Sequence, residues 1–333
     1  MNMLEGIYFP AKKISINENK YFIPASNTKI LTSFFAIKAL GENYSFFSKY
    51  YVKNNKLFIS TNGNPLITKN DLSTIFSNLS YDIEEIIIDS SFLLPTPTPP
   101  GWCQDDLGKS YAPFISEINY EFNRKNKLVN GKILSVAVNN PVNYFLNEIK
   151  YGIWKKFGKK KINVIYKKWE WENKGEYFAK RKLGEMLKIM NKNSENSIAE
   201  MLLLHSGMVL GGKGLENPLK KMKKLFKNQN INGFKIYDGS GLSYYNIIKP
   251  KTIVKVLDLL KDVKIFKDSL PIGSIDGTLK NRLSPRVIAK TGTLHNVQNL
   301  SGYLDDEPFS IMLNGVDDQE NAKKYIDSFL LTF

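Results

Sequence analysis

Residues 24–29 read Pro24-Ala25-Ser26-Asn27-Thr28-Lys29 and lead directly into an apolar run that begins at Ile30. Apolar side chains then recur at helical spacing, which predicts a buried helix from Thr28 to about Leu40. Proline is well tolerated at the start of a helix, because the N–H that it lacks would have no partner there. The sequence therefore places a short polar segment at the first turn of a buried helix.

Ser26 and Lys29 lie three residues apart, which puts both side chains on one face of that first turn. A serine hydroxyl is a weak nucleophile until a neighbouring base takes its proton. A lysine amine can be that base when burial or nearby cations lower its pKa. Because the chain is rich in lysine, this pair alone carries little weight, and its interpretation depends on the motifs that follow it.

Two further polar motifs follow in the chain, Ser194-Glu195-Asn196 at a break before a predicted helix and Lys290-Thr291-Gly292-Thr293 at the end of a predicted strand. Their side chains suit a single site. Ser194 can relay a proton, and Asn196 can hold a substrate amide. Lys290 is a second cation that would help to keep Lys29 neutral.

The last motif also suits recognition of an extended peptide. Thr291 and Thr293 offer hydroxyl groups to a carboxylate. Gly292 has no side chain, so a peptide could lie against that strand edge. The backbone N–H groups of Ser26 and Thr293 are the natural donors to an oxyanion.

The three motifs resemble the signature set of penicillin-binding proteins and class A β-lactamases, with Glu195 where that pattern has Asp. More of the chain is similar to the D-alanyl-D-alanine carboxypeptidase/endopeptidase family of low-molecular-mass penicillin-binding proteins. The likeness extends from about residue 20 to 315. Beyond the three motifs it is carried by Trp102 with Asp105-Asp106-Leu107, by Asp238-Gly239-Ser240-Gly241-Leu242-Ser243 and by Asp276-Gly277-Thr278-Leu279.

The resemblance implies a serine-type carboxypeptidase, with endopeptidase activity as a further outcome, that hydrolyses D-Ala-D-Ala bonds of peptidoglycan stem peptides. Ser26 would form the acyl-enzyme, Lys29 would be the general base, and Ser194 would relay the proton to the leaving group. The resemblance also implies covalent inhibition by β-lactams and a location in the periplasm or cell envelope. No cofactor is implied.

A second group of residues is assigned to substrate binding by the same resemblance: Trp102, Asp105, Asp106 and Tyr111 would line the pocket for the side chain of the stem peptide. The alternative is a loop that is anchored by a buried tryptophan and carries solvated acids. In this family Trp102 tends to be followed by another aromatic residue, whereas this chain has Cys103-Gln104, a difference that affects substrate preference.

The order of predicted elements indicates an α+β fold. Strands and a helix begin the chain, and strands and a helix end it, so we expect an antiparallel sheet built from both termini with helices packed on it. This is the β-lactamase/transpeptidase-like architecture that the resemblance implies. Residues 1–66 and 173–333 would form the catalytic domain, and residues 67–172 an inserted α/β subdomain. A helical pattern is predicted from Tyr177 to Ile189.

Composition excludes some classes of protein. The 333 residues carry a formal net charge of +15, with lysine clusters at Lys155-Lys156, Lys159-Lys160-Lys161 and Lys220 to Lys224. A nucleic-acid-binding protein is therefore an alternative. No helix-turn-helix, zinc-finger or RNA-binding signature is present, however, so we expect no nucleic-acid partner. With one cysteine and two histidines, we expect no structural metal site.

The sequence contains no apolar run of about 20 residues, so at most peripheral membrane association is expected. Residues 1–6 lack the charged start and apolar stretch of a secretory signal, so either the chain is cytoplasmic or a leader has been removed or missed. Two other functions fit the same fold. One is a β-lactamase or esterase that uses the same serine, and the other is a catalytically silent protein that binds cell-wall peptides.

Overall fold

The computed structural model describes residues 3–80, 82–92, 98–158, 161–168, 175–211 and 217–333. Its strands are β1 (Leu4–Phe9), β2 (Ile14–Ile16), β3 (Ser45–Lys53), β4 (Lys56–Ser60), β5 (Glu85–Asp89), β6 (Arg124–Val129), β7 (Lys132–Ala137), β8 (Asn163–Lys167), β9 (Glu176–Lys182), β10 (Phe234–Lys235), β11 (Ile247–Ile248), β12 (Val287–Leu294), β13 (Val297–Leu304) and β14 (Glu307–Asn314). Its helices are α1 (Thr28–Leu40), α2 (Lys69–Asn78), α3 (Pro141–Phe157), α4 (Leu183–Lys192), α5 (Asn196–Gly211), α6 (Pro218–Asn228), α7 (Pro250–Leu259), α8 (Lys264–Lys267) and α9 (Gln319–Leu330). Lys159 and Lys160 of the second lysine cluster lie outside the described residues.

The first compact unit comprises Met1–Glu42, Pro99–Cys103 and Gly184–Phe333. Its five-stranded sheet has the order β12-β13-β14-β1-β2, and every neighbouring pair is antiparallel. Strand β1, near the start of the chain, thus pairs with β14, near its end. The prediction of an antiparallel sheet built from both termini is confirmed.

A hydrophobic core lies between this sheet and α9. Ile7 of β1, Leu300 of β13 and Ile311 of β14 are fully buried, and Ile326 of α9 packs into the same cluster. Alternate residues of the strands contribute to it, as expected for a sheet that has one face against a helix. This core holds the C-terminal strands that carry the Lys290 motif.

The N-terminal parts of helices α1 and α5 are buried on every side. Residues 28–37 of α1 are buried without interruption, and so are residues 196–203 of α5. A helix that is apolar on every side belongs in the interior, because it has no polar face to present to water. The two helices pack against each other, so the polar residues at their N-terminal ends must find partners inside the protein. The predicted helix from Thr28 is confirmed.

The second compact unit comprises Asn43–Thr98 and Gln104–Leu183. Its five-stranded sheet has the order β8-β5-β4-β3-β9, with parallel pairs β4–β5 and β5–β8 and antiparallel pairs β3–β4 and β3–β9. Helices α2 and α3 cover the sheet through a buried cluster that includes Ile75, Ile86 and Phe145. Mixed pairing with helical crossovers is typical of an α/β arrangement.

The helix predicted from Tyr177 to Ile189 is wrong in its first half. Residues 176–182 form strand β9, and the helix begins only at Leu183. Strand β9 pairs with β3, and this pairing supplies the backbone hydrogen bonds that a helix would have formed locally. Such long-range pairing overrides local periodicity.

In the structure, the chain passes from the first unit to the second between Glu42 and Asn43 and returns to the first between Leu183 and Gly184. Pro99–Cys103 also belongs to the first unit. From the sequence we predict domain boundaries at 66/67 and 172/173. That the chain divides into two domains at these positions stays a prediction. The difference arises because β3 and β4 belong to the sheet of the second unit.

Within the part of the chain that the structure describes, no helix has both the length and the apolarity to cross a bilayer. In the same residues, no group of three or more histidine, cysteine, aspartate and glutamate side chains is placed to hold a metal ion.

Replacement of Ile311 by alanine should destabilise the first unit by about 2–5 kcal/mol, because it leaves a cavity in the core of a central strand. The measurement is the free energy of unfolding in denaturant. Leu331→Ala is the control, since this side chain is 68% exposed and its loss should change stability by less than about 0.5 kcal/mol. Equal effects of the two substitutions would contradict the assignment of this core.

Candidate active site

Ser26 lies in a single 3₁₀ turn, Ala25–Asn27, directly before α1. The preceding Ala25 has a φ of 47°, in the left-handed region that residues with a side chain seldom adopt. Non-glycine residues in such conformations are often found at functional sites, where the surrounding structure holds them. The turn leaves Ser26 half-buried, whereas its neighbours Ala25 and Asn27 are buried.

The ammonium group of Lys29 is fully buried and has three oxygen partners. Its Nζ donates to Ser26 Oγ at 3.0 Å, to Asn196 Oδ1 at 2.6 Å and to the carbonyl oxygen of Ser240 at 2.7 Å. The first two contacts bring together side chains from the N-terminal ends of α1 and α5. A buried amine is tolerated only when its donors are satisfied in this way.

Ser194 and Lys290 extend the network on the other side of Ser26. Ser194 Oγ donates to Ser26 Oγ at 3.0 Å, and Lys290 Nζ donates to Ser194 Oγ at 3.0 Å. Lys290 also donates to the carbonyl oxygen of Thr291 at 2.9 Å. A continuous chain of hydrogen bonds therefore runs from Lys29 through the two serine hydroxyls to Lys290.

The two lysines of this chain have depressed pKa values. Burial lowers the pKa of Lys29 to about 8, although the carboxylates of Asp238, Glu200 and Glu195 oppose the shift. Burial, followed by the charge of Lys29, lowers the pKa of Lys290 well below its ordinary value. Two ammonium groups that share a buried site disfavour each other's charged form. The site therefore favours a neutral amine beside Ser26 at pH values below the pKa of a free lysine.

Strand β12 carries the third motif and lies at the edge of its sheet. Thr291 Oγ1 donates to Thr278 Oγ1 at 2.8 Å, and Thr293 Oγ1 donates to Gln298 Oε1 at 3.1 Å. Thr291 is buried, whereas Thr293 is exposed. An edge strand of this kind has backbone groups with which an extended peptide could pair.

Gly292 is explained by packing inside the protein. A Cβ atom there would lie 2.7 Å from the carbonyl oxygen of Pro24 and 3.1 Å from Asn27 Oδ1. A glycine is therefore required for β12 to approach the turn that holds Ser26. The sequence interpreted this glycine as space for a substrate, and that use of the strand edge stays a prediction.

Sequence reasoning missed one buried carboxylate behind Lys29, that of Glu200. Glu200 accepts hydrogen bonds from the backbone N–H groups of Gly239 (3.0 Å) and Ser240 (2.7 Å). It therefore holds the turn whose Ser240 carbonyl receives the Lys29 amine. Burial and the neighbouring charge of Asp238 raise the pKa of Glu200 to about 8. A glutamate four residues after Asn196 in an otherwise apolar helix was the available signal.

Asp238 organises the other side of the same turn. Its carboxylate accepts from the backbone N–H groups of Gly241 and Ser243, both at 2.9 Å, and from Asn246 Nδ2 at 2.6 Å. It also accepts from the indole N–H of Trp102 at 3.0 Å. Trp102 is thus a buried anchor of the turn in the first unit.

Three residues assigned to the substrate pocket belong to the second unit. The hydroxyl of Tyr111 donates to Asp106 Oδ1 at 2.6 Å, and Asp105 is exposed in the same segment. Lys109 forms a longer ion pair with Asp106 at 3.6 Å. The structure describes these contacts within the second unit, and their part in substrate binding stays a prediction.

The sequence matches a known protein family. Residues 11–130 and 126–332 match the model of the D-Ala-D-Ala carboxypeptidase 3 (S13) family. The chain belongs to the S13 family. The family resemblance predicted from the motifs around Ser26, Ser194 and Lys290 is confirmed.

Two S13 relatives share sequence over part of their length. D-alanyl-D-alanine carboxypeptidase DacB of Haemophilus influenzae is 34% identical over 141 residues, which cover 37% of this chain and 28% of that protein. The D-alanyl-D-alanine carboxypeptidase of Actinomadura sp. (strain R39) is 32% identical over 153 residues, which cover 40% of this chain and 28% of that protein. Each alignment therefore spans less than a third of the relative.

The fold is shared over a much longer stretch. The crystal structure of penicillin binding protein 4 (dacB) from Haemophilus influenzae superposes with a TM-score of 0.80 at 22% sequence identity. The match covers 95% of this chain and 91% of that one. The predicted α+β fold of the β-lactamase/transpeptidase-like type is confirmed.

Substitution of Gly241 by alanine tests the turn behind Lys29. Gly241 has a φ of +88°, and a Cβ there would lie 1.9 Å from the carbonyl oxygen of Ala25, next to Ser26. Gly41→Ala is the control, since Gly41 has a φ of +84° and nothing within 4 Å of an added Cβ. The control should cost about 1–3 kcal/mol from backbone strain.

Gly241→Ala should lower the free energy of unfolding by more than the control does, because the clash must be relieved in addition to the strain. Denaturant unfolding of both variants measures the difference. Equal losses of unfolding free energy in the two variants would mean that Gly241 does not lie against the carbonyl oxygen of Ala25.

Proposed function

We propose that this chain is a serine-type D-Ala-D-Ala carboxypeptidase that acts on peptidoglycan stem peptides through an acyl-enzyme on Ser26. The observation that carries the proposal is the hydrogen-bonded chain of Lys29, Ser26, Ser194 and Lys290. Membership of the S13 family and the names of the two carboxypeptidase relatives support the substrate class. The complete set of reactive side chains argues against a catalytically silent binding protein.

Lys29 is the proposed general base. As a neutral amine it keeps two N–H donors for Asn196 Oδ1 and the Ser240 carbonyl, and its lone pair then faces Ser26 Oγ. The Ser26 proton moves to Lys29 as the oxygen attacks the carbonyl of the penultimate D-Ala. A lysine whose pKa is lowered to about 8 holds a useful fraction of this neutral form near neutral pH.

The leaving group needs a proton. When the C–N bond to the terminal D-Ala breaks, its nitrogen must gain a proton, and the hydroxyl of Ser194 is the proposed donor. Ser26 Oγ is then bonded to the acyl carbon and carries no hydrogen, so Ser194 would regain its proton directly from Lys29, since both groups lie 3.0 Å from Ser26 Oγ. Lys290 orients Ser194 by donating to its oxygen. Water then attacks the ester on Ser26, which releases the shortened peptide and restores the serine hydroxyl.

Substrate would lie along the edge of β12. The terminal carboxylate is proposed to meet the hydroxyl of Thr293, which is exposed, with Lys290 and Thr291 nearby in the same strand. The backbone N–H groups of Ser26 and Thr293 are the proposed donors to the tetrahedral oxyanion. Gly292 allows this strand to approach the Ser26 turn closely, and that approach supports the assignment.

Trp102, Asp105, Asp106 and Tyr111 are proposed to contribute to recognition of the stem-peptide side chain. For Trp102 this role would be combined with anchoring Asp238. The acids Asp105 and Asp106 would suit a substrate that carries a free side-chain amine.

β-Lactams are the proposed covalent inhibitors, since the relative of similar fold is named a penicillin binding protein. A substrate in the cell wall would place this enzyme in the periplasm or cell envelope.

Ser26→Ala should abolish covalent labelling by benzylpenicillin, because the attacking oxygen is lost. Intact-protein mass spectrometry, followed by peptide mapping, measures the adduct. Ser33→Ala is the matched control. It removes a buried hydroxyl of α1 that donates to the Lys29 carbonyl oxygen, and labelling should persist. An adduct that remains in Ser26→Ala at another residue would refute the assignment.

The rate of acylation should rise with pH, with a midpoint near 8, because only neutral Lys29 can take the proton and burial lowers its pKa to about 8. Well below the midpoint, the rate should increase roughly tenfold per pH unit. Stopped-flow acylation by a chromogenic β-lactam between acidic and alkaline pH measures the profile. A rate that is independent of pH across this range would contradict Lys29 as the base.

Glu200→Gln should move this midpoint to lower pH. The charge of Glu200 raises the pKa of Lys29, so its removal lowers that pKa and more neutral amine is present at a given pH. The plateau rate should fall at the same time, because the amide no longer matches the two N–H donors of Gly239 and Ser240. Glu320→Gln, at an exposed position in α9, should leave the profile unchanged.

A further inference from the structure

A two-stranded ribbon in the second unit stands apart from the five-stranded sheet of that unit. It consists of β6 (Arg124–Val129) and β7 (Lys132–Ala137), which pair antiparallel and form a separate sheet. Asn130 and Gly131 join them, with φ values of 49° and 74°. Asparagine followed by glycine with two positive φ angles is the usual connection of a tight hairpin.

The tip of this ribbon exposes large apolar side chains to solvent. Leu128 is 70% exposed and Ile133 is 72% exposed, and the two residues lie directly opposite each other in the ladder. Leu134, beside Ile133, is 46% exposed. A two-stranded hairpin has little stability of its own, and side chains this exposed add little to it. They are available to a partner.

The charge of the ribbon has one sign. Residues 124–137 contain Arg124, Lys125, Lys127 and Lys132, and they contain no aspartate or glutamate. Lys125 and Lys127 lie on β6, while Lys132 begins β7 on the other side of the turn. Because side chains alternate along a strand, these three lysines lie on one face of the ribbon and the Leu128–Ile133 pair lies on the other, so both meet at the narrow tip.

We propose that this ribbon binds the surface of a membrane that contains anionic lipids. Leu128 and Ile133 would enter the boundary between headgroups and acyl chains, and the lysines would contact the lipid phosphates. Lysine side chains can lie along apolar surface while their ammonium groups stay with the headgroups. Exposed aliphatic residues within a basic segment are the combination that peripheral membrane binding needs.

Other partners fit the ribbon less well. A soluble polyanion would satisfy the lysines, but it would leave Leu128 and Ile133 in water. A protein strand that paired with the β6 edge would meet Lys125 and Lys127, and lysines on an edge strand are a feature that natural sheets use to prevent such pairing. An anionic lipid surface accepts the cations and the apolar tip together, which neither of these two partners does.

The test is co-sedimentation of the full chain with vesicles of phosphatidylcholine, with and without phosphatidylglycerol. Binding is expected to the anionic vesicles and to weaken with added salt. The double variant Leu128→Ser/Ile133→Ser should bind at least about tenfold more weakly, because it loses two buried aliphatic groups. The triple variant Lys125→Gln/Lys127→Gln/Lys132→Gln should lose about fivefold per lysine.

Matched controls distinguish binding by the ribbon from binding by other exposed apolar or basic residues of the chain. Leu331→Ser removes a side chain that is 68% exposed in the first unit, and the triple variant Lys220→Gln/Lys223→Gln/Lys224→Gln removes three lysines of α6. Both should bind the vesicles like the unchanged chain. Circular dichroism of every variant checks that the fold is retained.

A fluorescent label gives a second measurement. Cys103 is the chain's single cysteine, so Cys103→Ser/Val129→Cys carries one polarity-sensitive label next to the tip. Its emission should shift to shorter wavelength with anionic vesicles only. The proposal is overturned if ribbon variants and controls bind alike. It is also overturned if the lysine variant loses binding while Leu128→Ser/Ile133→Ser does not, since that result indicates a general attraction to polyanions.

Discussion

The site depends on one buried amine whose hydrogen-bonding capacity is met by oxygens from three parts of the chain. Lys29 comes from α1, Asn196 from α5 and the Ser240 carbonyl from a turn that two carboxylates hold in place. An amine without these partners would be too costly to bury. Its burial therefore fixes the ends of both helices and the turn relative to one another, and Ser26 is positioned as a consequence.

This amine lies among ionisable groups of both types. Lys29 and Lys290 are buried bases, and Glu200 and Asp238 are buried acids behind the first of them. Burial lowers the pKa of both lysines and raises that of Glu200, and the carboxylates oppose the shift at Lys29. The pKa values of Lys29 and Glu200 both come to about 8, so the proton distribution belongs to the group and not to one residue.

Much of this arrangement could be predicted from the sequence. The helix after Ser26 follows from apolar spacing, and the sheet formed by both ends of the chain follows from the order of elements. The role of Glu200 could not be predicted, because it acts through backbone groups of a turn that lies 39 residues away in sequence. Strand β9 was missed for a related reason: its pairing with β3 is not visible in local periodicity.

The burial of residues 28–37 of α1 and 196–203 of α5 limits how such a protein can change. Ten successive residues of α1 have no solvent-facing side chain, so a substitution on either helix disturbs packing before it alters the surface. Variation among proteins that share this core is therefore expected in loops and in the second unit. The reactive centre would be inherited nearly intact while its surroundings diverge.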